Sequence, residues 1–81
     1  PPEVLHFNGE VKEIGDGNLL VTYLSTADGF MELSDGDYVM STDNLLDEVQ
    51  EGDVVTIWFG GIILETAPAQ LTNVYRIEKA E

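Results

Sequence analysis

The chain has 81 residues, enough for one domain, and its 16 acidic against 3 basic residues give a formal net charge of −13. Nucleic acids and anionic membrane surfaces are bound by clustered lysine and arginine. The three cations (Lys12, Arg76, Lys79) are scattered, so neither is an expected partner, whereas cations and basic proteins are compatible with the charge. The lack of cysteine excludes disulfides, thiolate metal sites and cysteine nucleophiles.

The first half of the chain is a series of short strand patterns separated by turns rich in Asp and Gly. Alternating and β-branched residues predict strands at 4–14, 19–24, 30–33 and 38–42. The turns between them fall at 15–18, 25–29 and 34–37. In the first turn, Asp16 and Gly17 tolerate positive φ, so a hairpin between the first two strands is expected.

The segment before Gly52 breaks this pattern. Asp43 or Asn44 can cap a helical turn, the apolar residues that follow fall at helical spacing, and Gly52 would end the turn. We therefore predict one short helical turn near residues 44–50.

The last part of the chain returns to strand patterns, at 54–59, 62–65 and 71–78. Gly60-Gly61 predicts a tight hairpin turn, and Pro68, which has no N–H for a ladder, predicts a corner. Glu65 stands at the end of an apolar strand beside this corner. We expect it either to accept hydrogen bonds from N–H groups of the corner or to pair with Arg76.

Together these elements predict an all-β fold. Short strands at regular intervals are typical of a barrel or sandwich, and one brief helical turn between late strands favours a small OB-like Greek-key barrel of about five to six strands. No linker or repeat divides the sequence, so residues 1–81 are expected to form a single domain.

Sequence patterns of catalytic sites are missing. The chain has no Gly-x-Ser-x-Gly, P-loop or His-Glu-x-x-His motif, and His6 is its only histidine. We therefore expect no enzymatic activity and no cofactor.

The Asp-Gly turns suggest calcium as an alternative ligand. Ca²⁺ prefers carboxylate and carbonyl oxygens on flexible loops, which makes Asp35 and Asp37, with Asp28 or Asp43 from adjacent loops, the candidate ligands. Asp-Gly is also good turn chemistry, and none of these turns fits the twelve-residue EF-hand loop. A purely structural role in the turns is the other interpretation.

Four aromatic residues in the strand patterns, Tyr23, Tyr38, Trp58 and Tyr75, are candidates for a platform that stacks on a sugar or peptide. Strand aromatics more often pack in the core or across strands. We expect Trp58 and Tyr75, together with Glu65, to contact a ligand. OB folds bind on their middle strands and on the loops at one end, and acids there would favour a cationic partner over an oligonucleotide.

Two stretches, "FNGEVKEI" and "GDVVTIWFGGIILETAPAQLTNVYRIEK", resemble the YobA-like domains, small exported domains of unknown function in Gram-positive bacteria that often follow a lipoprotein signal. The matching positions in the second stretch are Gly52, Asp53, Val55, Trp58, Phe59, Gly61, Ile62, Glu65, Thr66, Pro68, Ala69 and Gln70. Gly61 stands where the family usually has proline, and one extra apolar residue precedes Glu65. The resemblance implies an OB-like barrel and an extracytoplasmic location, and it assigns no activity.

The sequence therefore predicts a non-enzymatic extracytoplasmic domain that binds a protein or a small ligand, with a calcium-dependent binding module as the alternative. No apolar run is long enough to span a bilayer, so we expect no membrane insertion by this domain. Because the chain starts at Pro1-Pro2 without Met, we expect it to be a trimmed or processed product from which a targeting segment has been removed. The resemblance to the YobA-like domains implies a lipid anchor upstream.

Overall fold

A computed structural model describes residues 5–26 and 36–80 of the chain, and these residues form one mixed β-sheet of seven strands. The strands are β1 (Leu5–Gly15), β2 (Asn18–Thr26), β3 (Asp37–Ser41), β4 (Val54–Phe59), β5 (Ile63–Leu64), β6 (Ala69–Leu71) and β7 (Val74–Lys79). Their order in the sheet is β5-β6-β3-β2-β1-β4-β7, and every pair is antiparallel except β3 with β6. The predicted all-β class is confirmed. The strand predicted at 30–33 lies outside the described residues.

The hairpin of β1 and β2 is the longest pairing and forms as expected. Gly15 pairs with Asn18, which leaves Asp16 and Gly17 as a two-residue loop, and Gly17 has a φ of 76°. Glycine reaches that conformation without steric cost, so this local signal alone is enough to set the turn.

One face of the sheet is buried and forms the core. Alternate residues of the long strands point inward, so that nine side chains are almost completely buried. They are Phe7, Val11, Leu19, Val21, Met40, Val55, Ile57, Phe59 and Ile77. Among the described residues, Tyr38 and Leu71 also belong to the core. We call the opposite side of the sheet the outer face.

The helical turn predicted near residues 44–50 is wrong. Leu45 instead forms an isolated parallel bridge with Ile77 of β7, in which the Leu46 N–H donates to the Ile77 carbonyl (2.9 Å) and the Ile77 N–H donates to the Asn44 carbonyl (3.0 Å). A helix of one or two turns must nucleate at a cost that so few hydrogen bonds do not offset. The backbone groups of this segment find their partners on the edge of β7.

The strand count and one turn also differ from expectation. The described residues form seven strands rather than five to six, because β6 forms from Ala69 to Leu71, where a corner was predicted, and the predicted strand 71–78 begins only at Val74 as β7. Gly60-Gly61 does not join a hairpin, since β4 pairs with β1 and β7 while β5 pairs with β6. The Gly60 N–H donates to the Asn73 carbonyl at 2.8 Å instead. In the described part of the chain, no helix is long and apolar enough to cross a membrane.

Candidate functional site

An open groove crosses the outer face of three neighbouring strands. Glu13 of β1, Leu20 of β2 and Val39 of β3 are direct partners in the strand register and form one row across the sheet. The groove has a volume of about 410 Å³. Its lining residues are Glu13, Ile14, Gly15, Asn18, Leu20, Val39, Glu51 and Pro68.

The floor of the groove is apolar because strand alternation places two aliphatic side chains on the outer face. Leu19 and Val21 are buried in the core, so Leu20 between them faces outward. Val39 faces outward in the same way between Tyr38 and the buried Met40. Both floor side chains are half-buried, which means that water reaches part of an aliphatic surface on the outside of the sheet.

A bulge in β1 determines where Glu13 points. Val11 pairs with Val21 and Glu13 pairs with Leu20, so Lys12 is an extra residue in β1 without a partner in β2. Regular alternation from the buried Val11 would turn Glu13 toward the core. The extra residue shifts the alternation by one, and Glu13 lies beside the outward Leu20.

The rim of the groove is negatively charged. Glu13 and Glu51 are both exposed, and in residues 5–26 and 36–80 neither forms an ion pair. The three basic residues of the chain are bonded to other carboxylates. They pair as Lys12 with Asp37 (3.0 Å), Arg76 with Glu78 (2.7 Å) and Lys79 with Asp53 (3.5 Å). The lining of the groove therefore contains two carboxylates and no cation.

Trp58 lies elsewhere on the outer face, in a row that crosses β1, β4 and β7. The register pairs it with His6 on one side and Arg76 on the other. The His6 ring stacks on it with centroids 5.6 Å apart, and the Arg76 guanidinium carbon lies 5.4 Å from the ring centroid. Its neighbours on both adjacent strands thus contact the half-buried indole, in a stacked and cation–π arrangement that stabilises the sheet surface.

The remaining aromatic candidates are divided between core and surface. Tyr38 is buried and Tyr23 is half-buried, and both rings lie within 6 Å of the Phe7 ring centroid. Tyr75 is 48% exposed and sits at a register shift of β7. Among the described residues, no ring contact joins Tyr75 to Trp58.

Glu65 is exposed and directly follows β5, at the opposite end of the strand order from Tyr75 on β7. Arg76 pairs with Glu78 rather than with Glu65. In the corner itself the Thr66 N–H donates to the Leu64 carbonyl, and the Thr66 hydroxyl donates to the Pro68 carbonyl. Within the described ranges, no hydrogen bond or ring contact links Trp58, Glu65 and Tyr75, and their joint role in ligand binding stays a prediction.

Of the four aspartates predicted as calcium ligands, Asp37 and Asp43 are described, and Asp28 and Asp35 lie outside the described residues. One oxygen of Asp37 is 3.0 Å from the Lys12 ammonium and the other accepts a hydrogen bond from the Thr22 hydroxyl at 2.8 Å. These two bonds lower the pKa of the Asp37 carboxyl. In the part of the chain that the structure describes, no three acidic, histidine or cysteine side chains cluster in a way that could hold a metal ion. Calcium binding stays a prediction.

A second and larger groove, of about 960 Å³, is polar. It is lined by Asn8, Asp47, Glu48, Thr56, Glu78, Lys79 and Ala80. Several of its polar groups already have partners, since the Thr56 hydroxyl donates to Asn8 (2.8 Å), Asp47 accepts from the Lys79 N–H (2.9 Å) and Glu78 accepts from Arg76. It offers a ligand little apolar surface, and the smaller groove is the better candidate site.

Comparisons of the chain with protein-family models, with curated proteins and with solved structures find no match in any of the three. The site is therefore defined by its geometry alone. Its main residues, Leu20, Val39 and the two glutamates, are absent from the residues that sequence reasoning selected. One signal was available: Leu19 and Leu20 are adjacent in a strand, so one of them must face outward.

Proposed function

We propose that the protein is a non-catalytic interaction module that binds a partner protein in the groove on the outer face of β1, β2 and β3. The observation that supports it best is the combination of a water-accessible aliphatic floor with two carboxylates that lack ion-pair partners among the described residues. Exposed aliphatic surface with a polar rim is typical of binding sites. The lack of catalytic motifs in the sequence agrees with a binding role.

The strand order supports an OB-like barrel as the finer architecture. Strands β3-β2-β1-β4-β7 are consecutive in the sheet, and the chain directly after β3 returns to β7 through the parallel bridge of Leu45 and Ile77. This order is what a five-stranded, partly open Greek-key barrel would require, with β5 and β6 as an addition beside β3. OB folds bind their ligands on the face of their second and third strands, and the groove lies on those strands here.

We also propose an extracytoplasmic location, in which the module is secreted or attached to the cell envelope. The support for this comes from the resemblance of residues 52–79 to the YobA-like exported domains. A partner protein in the envelope would then be the natural ligand.

The test is capture of a partner from an envelope extract by the purified domain and by two variants. In the groove variant Leu20→Ser and Val39→Ser remove the aliphatic floor, and in the control Leu64→Ser removes an exposed leucine (45% exposed) outside the groove. We expect wild type and control to recover the same protein and the groove variant to lose it. Near-ultraviolet circular dichroism confirms that all three are folded. Recovery by all three alike, or no recovery above that of an unrelated acidic domain, would contradict the proposal.

A further inference from the structure

We infer that the groove binds an extended peptide segment in which aliphatic residues alternate with lysine or arginine. This inference rests on the proposed function and names the chemistry of the partner. The aliphatic side chains would pack on Leu20 and Val39, and the cationic groups would lie between Glu13 and Glu51.

The charge of the groove indicates that its ligand is cationic. Glu13 and Glu51 supply the formal charges of the lining, and both are negative. The nearest cation in the sequence, Lys12, is bonded to Asp37 at 3.0 Å and is not a lining residue. The net charge of −13 adds a long-range field of the same sign, which attracts cationic segments and repels acidic ones.

The apolar floor of the groove indicates that the ligand also carries aliphatic side chains. Leu20 and Val39 are half-buried on the outer face, so a purely charged ligand would leave aliphatic surface in water. Lysine and arginine lay their methylene stems along apolar surface while the charged group stays solvated. Strand alternation of the ligand places every second side chain on the floor.

Size and position favour a short segment over a folded surface. A volume of about 410 Å³ lies in the lower range of ligand sites. The groove crosses the end of the β1–β2 hairpin. At this end it is lined by the small residues Gly15 and Asn18. An extended chain of a few residues fits this space.

The experiment is a titration of the ¹⁵N-labelled domain with a hexapeptide of alternating leucine and lysine, capped at both ends. Two matched peptides replace all lysines by glutamine or all leucines by serine. We expect saturable shifts at Leu20, Val39 and Gly15 with the leucine–lysine peptide. Affinity should be roughly fivefold lower or worse for either matched peptide, and it should fall as ionic strength rises.

Variants of the domain locate the charge. Glu13→Gln with Glu51→Gln should weaken binding roughly fivefold. Glu48→Gln with Glu65→Gln removes the same charge outside this groove and should leave the affinity almost unchanged. Equal weakening by both pairs would mean unspecific charge attraction and would overturn the inference.

The other outcomes also decide. Equal binding of the glutamine peptide would overturn the cationic requirement. Equal binding of the serine peptide would overturn the aliphatic requirement, because charge attraction alone would then explain the affinity. If no peptide binds at millimolar concentration, the inferred ligand chemistry is wrong. The proposed function is judged separately by whether capture of the envelope protein depends on Leu20 and Val39.

Discussion

Asp37 is the residue whose charge is most clearly held by its neighbours. Lys12 and then Thr22 bond its carboxylate, and both favour the ionised form, which lowers the pKa below its ordinary value of 3.8. Because the folded-state pKa lies below the unfolded one, Asp37 contributes stability that is fully present above 3.8 and is lost as the pH falls through the folded-state pKa. Lys12 is more than half exposed, so salt screens part of this contribution.

We predict that Asp37→Asn lowers the urea midpoint of unfolding at pH 7. The difference in urea midpoint between variant and wild type should stay constant down to about pH 5. It should shrink below about pH 4, where the Asp37 carboxylate of the unfolded wild type begins to protonate. Asp16→Asn in the hairpin loop removes the same charge from a side chain that forms no ion pair within residues 5–26 and 36–80, and it should not lower the midpoint. A wild-type midpoint for Asp37→Asn at pH 7, or a difference that grows on acidification, would contradict this account.

At the scale of elements, the segment after β3 decides how the sheet ends. The bridge at Leu45 attaches this segment to the outer edge of β7, and the Asn44 side chain adds a hydrogen bond to the Val74 carbonyl at 2.7 Å. These bonds cover backbone groups of β7 that would otherwise form an open edge. Leu46 itself is 60% exposed, so its backbone matters here more than its side chain.

Leu46→Pro therefore tests the bridge. Proline removes the N–H that bonds to the Ile77 carbonyl, and we expect a loss of about 1–3 kcal/mol in the free energy of unfolding. Leu46→Ala keeps the N–H and should cost less than about 0.5 kcal/mol because the side chain is largely in water. Urea denaturation of both variants gives the comparison, and equal stability of the two would mean that the bridge does not hold the segment.

Sequence patterns within a few residues correctly predicted the features that depend only on neighbouring residues. Alternation found β1, β2, β3 and β4, and the Asp16-Gly17 loop gave the first hairpin. The bridge at Leu45 depends on a backbone partner 32 residues away in the chain, and no window of sequence contains both ends. The helical spacing around Leu45 was genuine, but it also suits an extended segment whose apolar side chains pack on the core.

The candidate site was predictable in part. Alternation around Leu19 and Val21 is sufficient to place Leu20 on the outer face. Glu13 was not predictable, because an extra residue at Lys12 reverses its direction and a bulge leaves little trace in a single sequence. Glu51 reaches the groove from a loop, and only the folded chain places it beside β1.

At the scale of the whole molecule, the net charge of −13 leads us to expect charge repulsion to be the dominant long-range term. The molecule measures 30 × 28 × 21 Å, and the Debye length is about 30 Å at 0.01 M salt and about 10 Å at 0.1 M. At the lower salt concentration each carboxylate is therefore repelled by almost all the others. In residues 5–26 and 36–80, three ion pairs engage 3 of the 11 acidic side chains, so screening should relieve more repulsion than it removes attraction.

We predict that the melting temperature at pH 7 rises when NaCl increases from 0.01 to 0.1 M. A gain of about 1 kcal/mol would raise it by about 4–8 °C for a domain of this size. The same salt step at pH 4, where many carboxylates are protonated, provides the control and should have a smaller effect. A flat or falling melting temperature at pH 7 would mean that the ion pairs outweigh the repulsion. If repulsion does dominate, a cationic segment in the groove would relieve it too, and the stabilisation that such a ligand provides should be largest at the lowest salt.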